Sequence, residues 1–282
     1  MKHSVKIIAL LILMFFVTQL IGLVVVNIYA TNNDNVPYGM SPPKDISPAS
    51  SLASISFAIV FAVLLMFLLM KFRTEWFLRL WFFSVITLAL GITLNALFLS
   101  TNFLLTIIDI FSFKISIASF ISLLVALPLA FLKVFKRDIL VHNLTELLIY
   151  PGIAVIFVPL LNLWTVVMLL ILISLYDMYA VWHSGFMQKM AKYQIQKLKI
   201  FSGFFIPYLG KKESDLVNNA RASNKKLSTK KIKVNLAILG GGDVVFPIIL
   251  AGVVLRQFGF LSALIVSACA TLALMGLFYI SK

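Results

Sequence analysis

The sequence predicts an all-α polytopic membrane protein built from eight transmembrane helices, and three observations carry that prediction. Hydrophobic residues make up 61% of the chain and charged residues only 12%, more apolar surface than a water-soluble domain of 282 residues can hide. Apolar stretches of about 20 residues recur along it, each long enough to cross roughly 30 Å of hydrocarbon as a helix. Basic residues gather in alternate connections between those stretches, as the positive-inside rule requires of a multi-pass chain.

The spans are Ile7–Ile28, Leu52–Met70, Leu80–Leu99, Ile115–Leu132, Leu144–Leu161, Leu163–Trp182, Leu236–Leu255 and Phe260–Ile280. The first has a basic start and an end at Tyr29-Ala30 that resembles a signal-peptide cleavage site. Its apolar run is longer than the usual ~7–15-residue core of such peptides, so a retained helix is expected. Thr31–Ser51, rich in Asn, Pro and Ser, reads as an external loop. Phe103–Phe113 is apolar but is separated from the fourth span by Asp109 and Lys114, and reads as an interfacial segment. Ser184–Asn235 is one long connection. It opens with the basic amphipathic run Phe186–Lys192, suited to the inner leaflet, and continues as a Ser/Asn/Lys-rich linker over Asn218–Lys231. At its end Ile232, Val234, Leu236 and Ile238 alternate with Lys233, Asn235 and Ala237, the pattern of a short strand. The chain thus divides into a six-helix part (1–183), a basic cytoplasmic loop (184–235) and a C-terminal two-helix part (236–282).

With the N-terminus inside, 21 of the 24 Lys and Arg residues fall on the cytoplasmic side; Lys44, Lys114 and Arg256 fall outside. The net charge of +14 is thereby assigned to cytoplasmic loops facing anionic lipid, and nucleic acid is excluded as a partner. The single Cys269 excludes a disulfide within the chain. His3, His142 and His183 are scattered at span edges, read as interfacial polar residues, and suggest no metal site.

Only ten residues are acidic, and two of them, Asp177 and Asp243, sit well inside spans. Each costs about 2.5–3.5 kcal/mol to insert at a helix centre, and intramembrane carboxylates are functional by default. Asp177 lies five residues before Trp182 and Asp243 seven after Leu236. At ~1.5 Å per residue these are depths of about 8 and 10 Å from the cytoplasmic edge, so antiparallel helices bring the two carboxyls level. A level pair suits an aspartyl dyad, in which one carboxylate activates water and the other, as the acid, polarises the scissile carbonyl. It also suits an ion or proton path. Three glycines, Gly240-Gly241-Gly242, precede Asp243; without side chains they let a backbone approach closely. Pro247 follows and leaves a carbonyl of the first turns unpaired.

Tyr176-Asp177 in the sixth span and Gly240-Gly241-Gly242-Asp243 in the seventh resemble the Tyr-Asp and Gly-x-Gly-Asp motifs of the presenilin and signal peptide peptidase family, in the same ordinal helices. The flanks, Leu175–Val181 and Gly242–Pro247, are similar to those of signal peptide peptidases and microbial presenilin homologues. The likeness is specific over about Leu175–Arg256 and topological before that. It implies a presenilin-like helical bundle and an intramembrane aspartyl endopeptidase. Asp177 and Asp243 are then the catalytic pair, with Tyr176, Gly240, Gly241 and Gly242 at the substrate. It implies no metal and no organic cofactor. It implies, as partners, the lipid bilayer and single-span membrane proteins or signal peptides as substrates. The family has a ninth helix carrying Pro-Ala-Leu; this sequence ends at Lys282 after the eighth span, and Leu127-Pro128-Leu129 lies in a different helix.

Two other readings compete. One is a non-catalytic membrane protein, a leak channel or inactive scaffold that retains the two aspartates; no inverted repeat of broken helices accompanies them. The other is a prepilin peptidase, whose Gly-x-Gly-Asp is followed by a lysine where this chain has Val245-Phe246-Pro247.

Overall fold

The computed structural model describes residues 5–32, 34–40, 47–71, 75–100, 107–110, 113–136, 138–180, 202–209 and 234–280. The apolar runs form α1 (Val5–Thr31), α2 (Pro48–Lys71), α3 (Glu75–Leu99), α4 (Ile117–Phe131), α5 (Ile139–Phe157), α6 (Leu163–Tyr179), α7 (Gly241–Phe258) and α8 (Phe260–Ile280). Two antiparallel hairpins join them: β1 (Ile107–Ile110) with β2 (Phe113–Ser116), and β3 (Gly203–Leu209) with β4 (Val234–Gly240). Six helices are long and apolar enough to cross a membrane, while α2 and α6 contribute the shorter apolar stretches Leu52–Ala62 and Leu163–Tyr179. Their outer faces carry side chains such as Trp76, Trp164 and Leu261, each more than 70% exposed, which only lipid would cover.

Local chemistry sets the ends. Ser116 caps α4 by accepting from the Ser119 N–H, and a π-helical turn, Leu132–Lys136, extends it. Asp138 accepts from the N–H groups of Leu140 and Val141, so α5 begins five residues before the expected Leu144. Asn162 and Thr165 form a reciprocal capping box that starts α6. The segment read as interfacial is in part the β1–β2 hairpin, with Asp109 opposite Lys114. The strand expected at Ile232–Ile238 is β4, shifted to Val234–Gly240. Its partner β3 lies inside the connection Ser184–Asn235, ahead of the stretch read as a linker, where no strand was expected. The amphipathic run Phe186–Lys192 and the stretch Asn218–Lys231 lie outside the described residues.

The core is centred on α1, α5 and α7, with Phe15, Leu23, Tyr150, Val244 and Ile248 buried between them. The three helices run parallel. Gln19 meets Val244, Gly22 meets Ile248, and Val26 meets Gly252, while along α5 Tyr150 meets Gly241 and Val158 meets Gly252. Gly22 and Gly252 let the helices close: a Cβ on either would lie 2.5–2.6 Å from Ile248 or Val158. A Cβ on Gly152 would lie 2.0 Å from the Ala89 carbonyl oxygen, so α3 and α5 touch backbone to backbone there. At the far end of α1, Asp34 receives both guanidinium nitrogens of Arg256, the nearer at 2.6 Å.

Candidate active site

Asp177 and Asp243 are brought together by the meeting of two helix ends. Asp177 is in the last turn of α6, two residues before its end at Tyr179. Asp243 is in the first turn of α7, and this corrects the depth expected from the sequence. The apolar run Leu236–Leu255 suggested a helix from Leu236, whereas residues up to Gly240 are strand and the helix starts at Gly241. The two carboxylates nonetheless share one cleft, Asp177 from the last turn of α6 and Asp243 from the first turn of α7.

Both line one cleft of about 660 Å³, walled mainly by α6, α7 and α8 and, apart from the two aspartates and Ser174, apolar, with Ile173, Phe246, Pro247 and Leu274 among its lining. Asp177 is partly exposed and Asp243 exposed toward it. Ile238 and Leu239 of β4 reach the same cleft, so the strand runs into it directly. An apolar wall lowers the effective dielectric around the pair and sharpens each electrostatic contact made there. Among the described residues, no three His, Cys, Asp or Glu side chains gather as metal ligands would.

The three glycines serve different places. Gly242 lines the cleft beside Asp243, and a Cβ there would meet only Phe246 at an ordinary 3.7 Å. Gly241 is buried, and a Cβ would lie 2.7 Å from both the Tyr150 and Ser202 hydroxyls. Gly240 ends β4, with the Asp243 Oδ2 3.3 Å from where its Cβ would stand. Tyr176 is exposed and is not among the residues lining the cleft. Gly241→Ala is therefore expected to lower the melting temperature, because fully buried Tyr150 cannot yield. Gly242→Ala is expected to melt normally and to lose activity on a bulky substrate backbone. Thermal melting of the two purified variants separates them, and equal melting would contradict the distinction.

The sequence did not reveal β3 or what holds it. His142, read as interfacial, is instead buried with its Nε2 2.8 Å from the Gly203 carbonyl oxygen. Glu146, two residues inside the expected fifth span, is 1% exposed and paired with Lys133. The aromatic and β-branched run Phe204-Phe205-Ile206 was the available signal for the strand.

Comparison with known proteins bears on the whole chain. The model of the family "Signal-peptide peptidase, presenilin aspartyl protease" matches residues 9–279. A solved structure of a presenilin family intramembrane aspartate protease superposes with a TM-score of 0.54 at 19% identity, over 98% of this chain and 89% of that one, a likeness of fold. No curated protein matches the chain. A family match that runs from within α1 to the end of α8 leaves one conclusion: the chain belongs to the signal peptide peptidase and presenilin family of intramembrane aspartyl proteases.

Proposed function

We propose that this chain hydrolyses peptide bonds of single-span, mostly helical substrates such as signal peptides or membrane stubs, with Asp177 and Asp243 as the catalytic pair. The observation that carries the reading is that both carboxyls line one apolar cleft that a strand enters. One carboxylate takes a proton from water as the oxygen attacks the scissile carbonyl. The other carboxylic acid gives its proton to the carbonyl oxygen, forming a tetrahedral diol. Collapse of the diol breaks the C–N bond, the amine leaves with a proton, and the pair returns to its starting state. The duty belongs to the pair, since coupled carboxyls titrate as a unit.

A helix hides its carbonyls in internal hydrogen bonds, so a substrate must unwind before water can attack. In this reading β4 receives the unwound segment by strand addition. Gly203 and Phe205 turn their backbone groups away from β4, toward α5. Phe204 and Ile206, which alternate with them, therefore make the ladder, opposite Leu239 and Ala237. Leu236, Ile238 and Gly240 then direct their backbone groups to the other edge of β4, and among the described residues β4 pairs with β3 alone. Gly242 lets the paired backbone pass close to the carboxyls.

A substrate peptide with a secondary alcohol in place of the scissile carbonyl mimics the tetrahedral diol. It is expected to bind at least about 100-fold tighter than the parent peptide and to lose that advantage in Asp177→Ala and Asp243→Ala. Equal affinity for alcohol and parent would count against the mechanism.

The same proposal sets the chain in the membrane with its N-terminus cytoplasmic, and in the cell membrane if the host is prokaryotic. The contact between Asp34 and Arg256 joins two segments expected on the same side, and the excess of Lys and Arg in the alternate connections supports the direction. Cysteines introduced in Thr31–Ser51 are expected to react with an impermeant reagent on intact cells, and cysteines in Ser184–Asn235 only after lysis. Labelling of the second loop from outside would overturn the orientation.

A further inference from the structure

The first turns of α5 present three polar side chains to the main chain of β3. Asn143 donates from Nδ2 to the Phe205 carbonyl at 2.7 Å and accepts the Phe205 N–H at 2.9 Å, as a neighbouring strand would. His142 Nε2 lies 2.8 Å from the Gly203 carbonyl oxygen. Glu146 Oε1 accepts the Gly203 N–H at 3.3 Å. β3 is thus hydrogen-bonded along both edges, by β4 on one side and by α5 on the other.

Glu146 is the costly member of this set. It is 1% exposed, and its counter-charge Lys133, from the π-helical turn after α4, is 3% exposed with its Nζ 2.6 Å away. A buried ion pair is weak evidence for stability, because an apolar pair of similar volume often does as well or better. What the apolar pair does not supply is an acceptor for the Gly203 N–H. That acceptor leads to the cleft. Gly203 stands opposite Gly240, the Ser202 carbonyl accepts the Gly241 N–H at 3.2 Å, and Asp243 follows two residues on. Tyr150, one turn after Glu146 on α5, packs on Gly241 itself.

We propose that Glu146, held by Lys133 and flanked by Asn143, is a positioning residue of the protease site, fixing the β3–β4 hairpin to α5 and so setting where β4 and Asp243 stand. This rests on the protease reading. Losing the anchor lets the hairpin shift along α5, and a substrate paired on β4 then meets the carboxyls at a different bond.

Two double variants separate the acceptor from the charge. Lys133→Met/Glu146→Gln buries no charge and keeps an acceptor for the Gly203 N–H. Lys133→Met/Glu146→Leu buries no charge and keeps none. Both are purified whole, reconstituted, and given a single-span helical peptide; products are mapped by mass, and amide exchange is followed across 202–209. The Gln variant is expected to cut the same bond within about threefold of the parental rate. The Leu variant is expected to fall about 10- to 100-fold in kcat, to spread its cuts over neighbouring bonds, and to exchange faster at Gly203. Asn143→Leu leaves the ion pair intact and strips Phe205 of both bonds. It is expected to spread the cuts likewise, so misfolding of one variant does not decide the matter. Equal rates, cut sites and exchange in the two double variants would overturn the proposal, as would equal loss in both. A parental chain that cuts nothing, while the exchange difference persists, overturns instead the protease reading on which the positioning role stands.

Discussion

Asp177→Ala and Asp243→Ala are each expected to abolish cleavage of a single-span substrate while leaving the chain inserted and folded. A positioned acid or base contributes about 10²–10⁴-fold to a rate, and in a dyad the loss of either carboxyl removes both functions of the pair. Activity below about one-thousandth of the parent is therefore expected. Folding survives because neither side chain is part of the core; Asp243 is exposed in the first turn of α7 and Asp177 is partly exposed on α6. Asp→Asn at either position keeps the shape, loses the titratable proton, and is expected to be equally inactive. Asp→Glu is expected to fail as well, because an added methylene moves a carboxyl that must stand at near-attack distance. Substrate cleavage on gels, with melting curves as the folding control, reads all six variants. Retained cleavage by any folded alanine variant would remove that aspartate from the mechanism. Ion leak that requires both aspartates, with no substrate ever cut, would favour a channel.

Leu236→Pro is expected to cost about 10- to 100-fold in cleavage with the β3–β4 hairpin intact. Leu236 stands opposite Pro207, and its N–H faces the outer edge of β4, so a proline there breaks no bond to β3. What it removes is a donor for an added strand, just upstream of the cleft that Ile238 lines. Ala237→Pro is the contrasting change, since Ala237 pairs inward with Ile206 and its loss unsettles the hairpin itself. If Leu236→Pro cuts at the parental rate, β4 has no part in presenting substrate.

How far the sequence carries depends on whether a feature is local. The helices were legible because apolar length is written in short windows; Asp177 and Asp243 stood out because charge is rare in such windows. The start of α7 was misplaced because Leu236-Ala237-Ile238-Leu239 is apolar in either conformation, and a short apolar run does not distinguish a strand feeding a helix from the helix itself. The two aspartates lie at helix ends, one closing α6 and one opening α7, rather than well inside two spans as the apolar runs suggested. β3 was obscured by its setting among Lys, Ser and Asn. Its identity rests on contacts with Asn143, 62 residues from Phe205, and with Leu239, 35 residues from Phe204. The Lys133–Glu146 pair and the bond from Gln19 to the Val244 carbonyl are likewise tertiary facts, and a single sequence gives no measure of them.

The central claim, that these two carboxylates hydrolyse a peptide bond inside the membrane, is tested most directly with the purified chain in lipid vesicles and a single-span helical peptide. Products are weighed by mass spectrometry beside the same preparation carrying Asp243→Asn. The account predicts paired fragments whose masses sum to the peptide plus one water, from a cut in the cytoplasmic half of the apolar segment, and no fragments with the variant. Fragments that persist with Asp243→Asn, or a cut confined to the peptide's soluble flanks, would contradict it.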